Sequence, residues 1–170
     1  MQNLKLPITI RPTQSAQRRL VCDGVFKLSE MTRLLAVCEG KSEQVQVNVK
    51  FDVDERGLTV MSGTASALVA LICQRCTEPF EYKLEVSFTF SPAKNAEAAE
   101  EIPSYYDVVE LDENGEVNLR DLVEEELMLM VPLIPRHELK DCPAEADSVW
   151  GELPEELEKP NPFDVLKQLK

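Results

Sequence analysis

The sequence predicts an α+β fold: an antiparallel β-meander sheet or partly open barrel, with a few helices and a short C-terminal helix. Three observations carry that prediction. Val45, Val47, Val49, Phe51 and Val53 alternate with Gln46, Asn48, Lys50 and Asp52, the period of a strand with one buried and one wet face. The same alternation returns at Phe80, Tyr82, Leu84, Val86, Phe88 and Phe90. Between them, Leu58 to Cys73 is rich in β-branched and small apolar residues, as befits a central strand covered on both sides towards its end.

The remaining elements follow in chain order. Ser29 to Cys38 reads as a helix, with Ser29 as N-cap, Met31, Leu34, Leu35 and Cys38 on one face, and Gly40 as its stop. Asp54-Glu55-Arg56-Gly57 is a turn, and Gly63 is the place for a bend in the central strand. Ser91 to Tyr105 reads as a loop or frayed helical turn. Val108, Val109 and Leu111 make one more short strand before the turn Asp112-Glu113-Asn114-Gly115. A helix capped by Asn118 then carries the apolar stripe Leu119, Leu122, Val123, Leu127 and Met130, with Asp121 and Glu124 to Glu126 placed on a solvated face. Pro132 and Pro135 end it. The chain divides into an α+β core domain over 1–135 and an acidic, Pro-punctuated tail over 136–170. The tail ends in a helix begun by Asn161 and Pro162, and Phe163, Leu166 and Leu169 fall near one of its faces as partner-binding candidates. That short helix either docks on the domain or orders on a partner.

Composition narrows the function. Hydrophobic residues make up 44% of 170, enough for a substantial core, yet no apolar run approaches the roughly 20 residues that span a bilayer. The first ten residues lack the pattern of a secretory signal, so the expected setting is cytoplasmic, without membrane association. Five irregularly spaced cysteines predict no disulfide framework, with Cys22 and Cys38 as free buried thiols. A single histidine, no Gly-x-Ser-x-Gly elbow and no Gly-rich phosphate loop argue against an enzyme or a small-molecule substrate. The net charge of −13 is unevenly spread: residues 1–50 carry +4 and the rest −17. This asymmetry permits a cationic face towards RNA and an acidic face that attracts a basic protein or merely aids solubility. Arg18, Arg19 and Arg75 are the RNA-contact candidates, since guanidinium groups pair with phosphates and stack on unpaired bases.

Cys73-Gln74-Arg75-Cys76 interrupts the apolar stretch where paired strands must turn round, so both thiols can reach one tetrahedral ion. His137 and Cys142 would complete a Cys3His zinc set if the fold brings the two segments together; otherwise the cysteines are small core residues without metal. A redox role is disfavoured, because the pair is flanked by strands and not placed at a helix N-terminus.

These segments, in this order, resemble the YceD family of bacterial proteins, named for large ribosomal RNA subunit accumulation. The likeness runs through Leu6-Pro7, Ala16-Gln17-Arg18-Arg19-Leu20, Cys73-Gln74-Arg75-Cys76, Pro79-Phe80, Phe90-Ser91-Pro92 and Val123-Glu124-Glu125-Glu126-Leu127. It continues through Val131-Pro132-Leu133-Ile134-Pro135-Arg136-His137, Cys142, Gly151-Glu152-Leu153-Pro154-Glu155-Glu156 and Lys159-Pro160-Asn161-Pro162-Phe163. The resemblance implies a non-catalytic ribosome biogenesis factor needed for 23S ribosomal RNA accumulation and large-subunit assembly. Its partners would be ribosomal RNA, a pre-50S particle or a basic ribosomal protein. Some members carry further cysteine pairs downstream, where this chain has only His137 and Cys142. The main alternative is a zinc-stapled protein-binding adaptor without direct RNA contact.

Overall fold

In the computed structural model, residues 5–143 are described. The elements in chain order are β1 (Thr9–Ile10), α1 (Pro12–Gln17), β2 (Val21–Lys27), α2 (Thr32–Leu35), β3 (Glu39–Gly40), β4 (Gln44–Val53), β5 (Thr59–Ile72), β6 (Pro79–Ala93), α3 (Ala96–Glu100), β7 (Asp107–Glu110), β8 (Val117–Asn118) and α4 (Leu119–Leu129). The fold is α+β, as the alternation requires. Six strands form one sheet in the order β2-β4-β5-β6-β7, with β3 also on β5, while β1 and β8 make a separate ribbon.

The meander β4-β5-β6 is antiparallel throughout, and its register explains the alternation. Val49 lies opposite Gly63, Phe51 opposite Met61, and Met61 opposite Phe90, so one face gathers the apolar positions. Val45, Val49, Phe51, Met61, Val69 and Leu84 are fully buried there, while Gln46, Asn48 and Lys50 on the other face are exposed. Helices α1 and α4 cover the apolar face, α4 contributing Leu119, Val123 and Leu127. At Gly63 the structure shows a close approach: a Cβ there would stand 2.3 Å from the Asn48 carbonyl oxygen and 2.9 Å from the Phe88 ring. Phe88 therefore lies over the missing side chain and stacks on Phe90, with ring centroids 5.2 Å apart.

Both Asp-x-x-Gly turns form as their residues dictate. Asp54 Oδ1 accepts from the N–H groups of Arg56 and Leu58, and Asp112 Oδ1 from those of Asn114 and Glu116. Gly57 and Gly115 then take the positive φ of 84° and 74°. Asn118 caps α4 as expected, its side chain accepting from Asp121 N.

The further short strand expected at Val108 and Val109 forms as β7 and pairs parallel to β6, because residues 94–106 with α3 form a crossover that returns the chain to the same end. Three expectations are corrected. The predicted helix over 29–38 is broken into a 3₁₀ turn at Leu28–Glu30 and the short α2, whose N-cap Met31 offers no side-chain bond. Its apolar face survives, with Met31 and Leu34 buried. The acidic helix face is not wholly solvated: Glu124 is 4% exposed, and Glu126 is half-buried with its carboxyl pushed up by burial and by Asp107 and Glu125. Glu124 Oε1 accepts from the N–H groups of Arg33 (2.7 Å) and Leu34 (3.0 Å), so a carboxylate from α4 caps α2. Finally, Cys22 and Cys38 are free but only half-buried, and burial pushes both thiols up.

Candidate metal centre

Cys73 and Cys76 sit in the turn joining β5 to β6. Cys73 N donates to Glu78 O (2.9 Å) and Thr77 N to Cys73 O (2.8 Å), which closes the turn, with Thr77 at φ 63°. After α4 the chain returns to this hairpin, with His137 61 positions beyond Cys76. Gln74 N donates to Pro135 O (2.9 Å), fastening the segment just before His137 against the turn. Phe80 packs on the His137 ring at a centroid separation of 4.8 Å. A single 3₁₀ turn, Leu139–Asp141, then brings Cys142 back to the same spot.

The Sγ atoms of Cys73, Cys76 and Cys142 and a ring nitrogen of His137 all lie within 4.8 Å of one another. Cys76 Sγ is 3.3 Å from His137 Nδ1. In a tetrahedral site with zinc–sulfur bonds of about 2.3 Å and zinc–nitrogen bonds of about 2.0 Å, ligand atoms stand roughly 3.5–3.8 Å apart. The observed set is near that spacing, so these four residues could hold one metal ion. Cys73 is fully buried, and the other three are half-buried.

The electrostatics suit thiolates. Burial alone would raise the Cys73 thiol, but main-chain N–H groups of Cys76, His137 and Arg75, with the His137 side chain, pull it down to about 5. Cys76 moves the other way, raised by burial and by the neighbouring sulfurs of Cys73 and Cys142. Crowded thiols that cannot all ionise unaided are the setting in which a divalent cation gains most.

The three arginines do not form one cluster. Arg18 and Arg19 follow α1, level with Phe51, since Phe51 N donates to Leu20 O. Arg75 lies beyond the far end of β5, a strand of 14 residues, which at ~3.3 Å per residue runs about 45 Å. Arg19 is open, its side chain 82% exposed and 3.7 Å from Asp52. Arg75 is half-buried and engaged at the cysteine cluster. Phe163, Leu166 and Leu169 lie outside the described residues. Sequence reasoning missed Glu124 as the cap of α2; its position at the margin of the stripe made by Leu119, Val123 and Leu127 was the available sign. No described helix is long and apolar enough to cross a membrane.

The class these features define is a sheet-based α+β domain with a Cys3His group, from a hairpin and a distant loop, that could hold a metal ion. Comparison with known proteins is more specific. Residues 61–170 match the family described as Large ribosomal RNA subunit accumulation protein YceD. The protein of that name from Haemophilus influenzae is 43% identical over 172 aligned positions, covering 100% of this chain and 99% of the relative. The chain belongs to the YceD family. No solved structure matches it.

Proposed function

We propose that this chain is a non-catalytic cytoplasmic factor that supports 23S ribosomal RNA accumulation by binding a precursor of the large subunit, with zinc held by Cys73, Cys76, His137 and Cys142. The observation that carries the reading is the full-length identity to a relative whose name states large ribosomal RNA subunit accumulation. The metal supplies no chemistry on a substrate in this account: it fastens residues 136–143 to the β5–β6 hairpin, so that both segments present one fixed surface. Exposed Arg18 and Arg19 are the RNA contacts, and the acidic positions around α3 and α4 face a basic ribosomal protein.

The test is depletion of the protein in cells. The expected result is a fall in large-subunit RNA relative to small-subunit RNA, restored by the wild-type chain and not by the Arg18→Glu, Arg19→Glu double variant. Unchanged large-subunit RNA on depletion refutes the reading.

A second reading has an observation in its favour. Leu133 is 96% exposed, with Ile134 also open on the segment bonded to the hairpin and Leu129 exposed at the end of α4, and the arginines are spread apart. A zinc-stapled adaptor that binds protein without touching RNA has such a surface. Gel shifts with ribosomal RNA fragments, set against pull-downs of ribosomal proteins, separate the two.

A further inference from the structure

We propose that Arg75 is a positioning residue of the metal centre, whose guanidinium tethers Cys142 to the hairpin and balances the charge of the thiolate cluster, and is not an RNA contact. The inference rests on the metal reading above. Arg75 Nε donates to Cys142 Sγ at 3.0 Å, and Nη2 reaches His137 O at 3.5 Å. Arg75 itself lies between Cys73 and Cys76 in the turn. Its side chain thus links the hairpin half of the cluster to the distant half.

Two physical needs meet there. Cys142 follows a single 3₁₀ turn in which Asp141 N donates to Glu138 O. Upstream, Gln74 fixes the backbone only as far as Pro135. Arg75 gives the Cys142 sulfur a charged hydrogen-bond donor from the hairpin. The second need is charge. Three thiolates and a neutral imidazole around a divalent cation leave one net negative charge, in a half-buried place where an uncompensated charge is costly. Arg75 is the cation bonded to that cluster. Its N–H···S bond also withdraws charge from the sulfur and lowers its nucleophilicity. Lysine cannot replace it fully, because a single ammonium lacks the planar fork that spans Cys142 Sγ and His137 O.

The experiment uses the purified full chain as wild type, Arg75→Gln and Arg75→Lys. Zinc ion is titrated against a competing chelator, and cysteine alkylation by iodoacetamide is mapped residue by residue. Outer partners of metal ligands typically contribute about 10–100-fold to affinity, so Arg75→Gln is expected to weaken zinc by that factor, with Arg75→Lys intermediate. Cys142 should be alkylated faster than in wild type, ahead of Cys73 and Cys76. Wild-type zinc affinity and wild-type Cys142 reactivity in Arg75→Gln overturn the proposal, as does an equal rise at all three cysteines, which signals general unfolding. Retained zinc with lost RNA association returns Arg75 to the RNA surface and also overturns it. A wild-type chain that binds no zinc sinks the metal reading and this inference together; a wild-type chain with one zinc and an indifferent Arg75→Gln sinks the inference alone.

Discussion

Glu124 carries a carboxylate into the interior because two main-chain N–H groups and the Arg33 guanidinium await it, with Arg33 Nε 3.6 Å from Oε2. A buried charge is tolerable on such terms, and removing it leaves the donors unsatisfied. Glu124→Ala is expected to cost about 2–3 kcal/mol of stability, read as a lower urea midpoint with an unchanged slope. A midpoint within error of wild type would show that water replaces the cap. Cys73 sets a second expectation at this scale, for the metal-free protein. Its folded thiol titrates near 5, below the ordinary value of 9.0, so the unfolded chain holds the extra proton between those limits. Its contribution to stability is therefore present above pH 9 and lost as pH falls through about 5. Cys22, Cys38 and Cys76 are raised and act in the opposite sense, destabilising only as pH climbs past 9. Denaturation of chelated protein across this range should show stability rising with pH from 5 towards 9, and the slope should flatten in Cys73→Ser; a flat wild-type profile contradicts the assignment.

The strands were legible because each shows its pleat directly in the residues. Val45 to Phe51 and Phe80 to Phe90 alternate, and the register of β4, β5 and β6 places those side chains where the alternation put them, while Val53 at the end of β4 is exposed. What stayed hidden depends on partners remote in sequence. Ser29 looked like a helix cap, but the cap of α2 comes from Glu124, a contact no local pattern records. The parallel pairing of β7 follows from the path of a crossover and not from the composition of Val108 and Val109. For the metal set, Cys73 and Cys76 were readable by spacing alone. The His137 to Cys142 gap became interpretable only once the Leu139–Asp141 turn folded it back. Arg75, read from the sequence as an RNA-contact candidate, lies between the two thiols, and its bonds to Cys142 and His137 depend on the same folded-back segment. On β5, Gly63→Ala should cost about 2–3 kcal/mol, since the new methyl meets the Asn48 backbone and the Phe88 ring together. Paired Gly63→Ala and Phe88→Leu should recover part of that loss, and no recovery would place the whole clash at the backbone. Zinc removal should speed amide exchange at Gln74, which donates to Pro135, while leaving the β4–β5 ladder protected.

Over the whole molecule, the uneven charge remains the feature that shapes its associations. In a chain with net charge −13, the exposed pair Arg18 and Arg19 lies towards one end of the sheet and the cysteine cluster, with exposed Arg136 beside it, at the other. Under the proposed function the two ends would meet different parts of a large particle, one through phosphate contacts that weaken with salt and one through an apolar surface that does not. Association with large-subunit precursors should fall steeply with ionic strength if the arginine end dominates, and Arg18→Glu with Arg19→Glu should remove that dependence. A salt-insensitive association would transfer the contact to Leu129, Leu133 and Ile134. Both outcomes presuppose that the distant loop is stapled to the hairpin. Elemental analysis of the purified full chain tests that staple most directly. One zinc per chain is predicted, lost in Cys73→Ser and in Cys142→Ser; a wild-type chain without zinc, or zinc retained after both substitutions together, contradicts it.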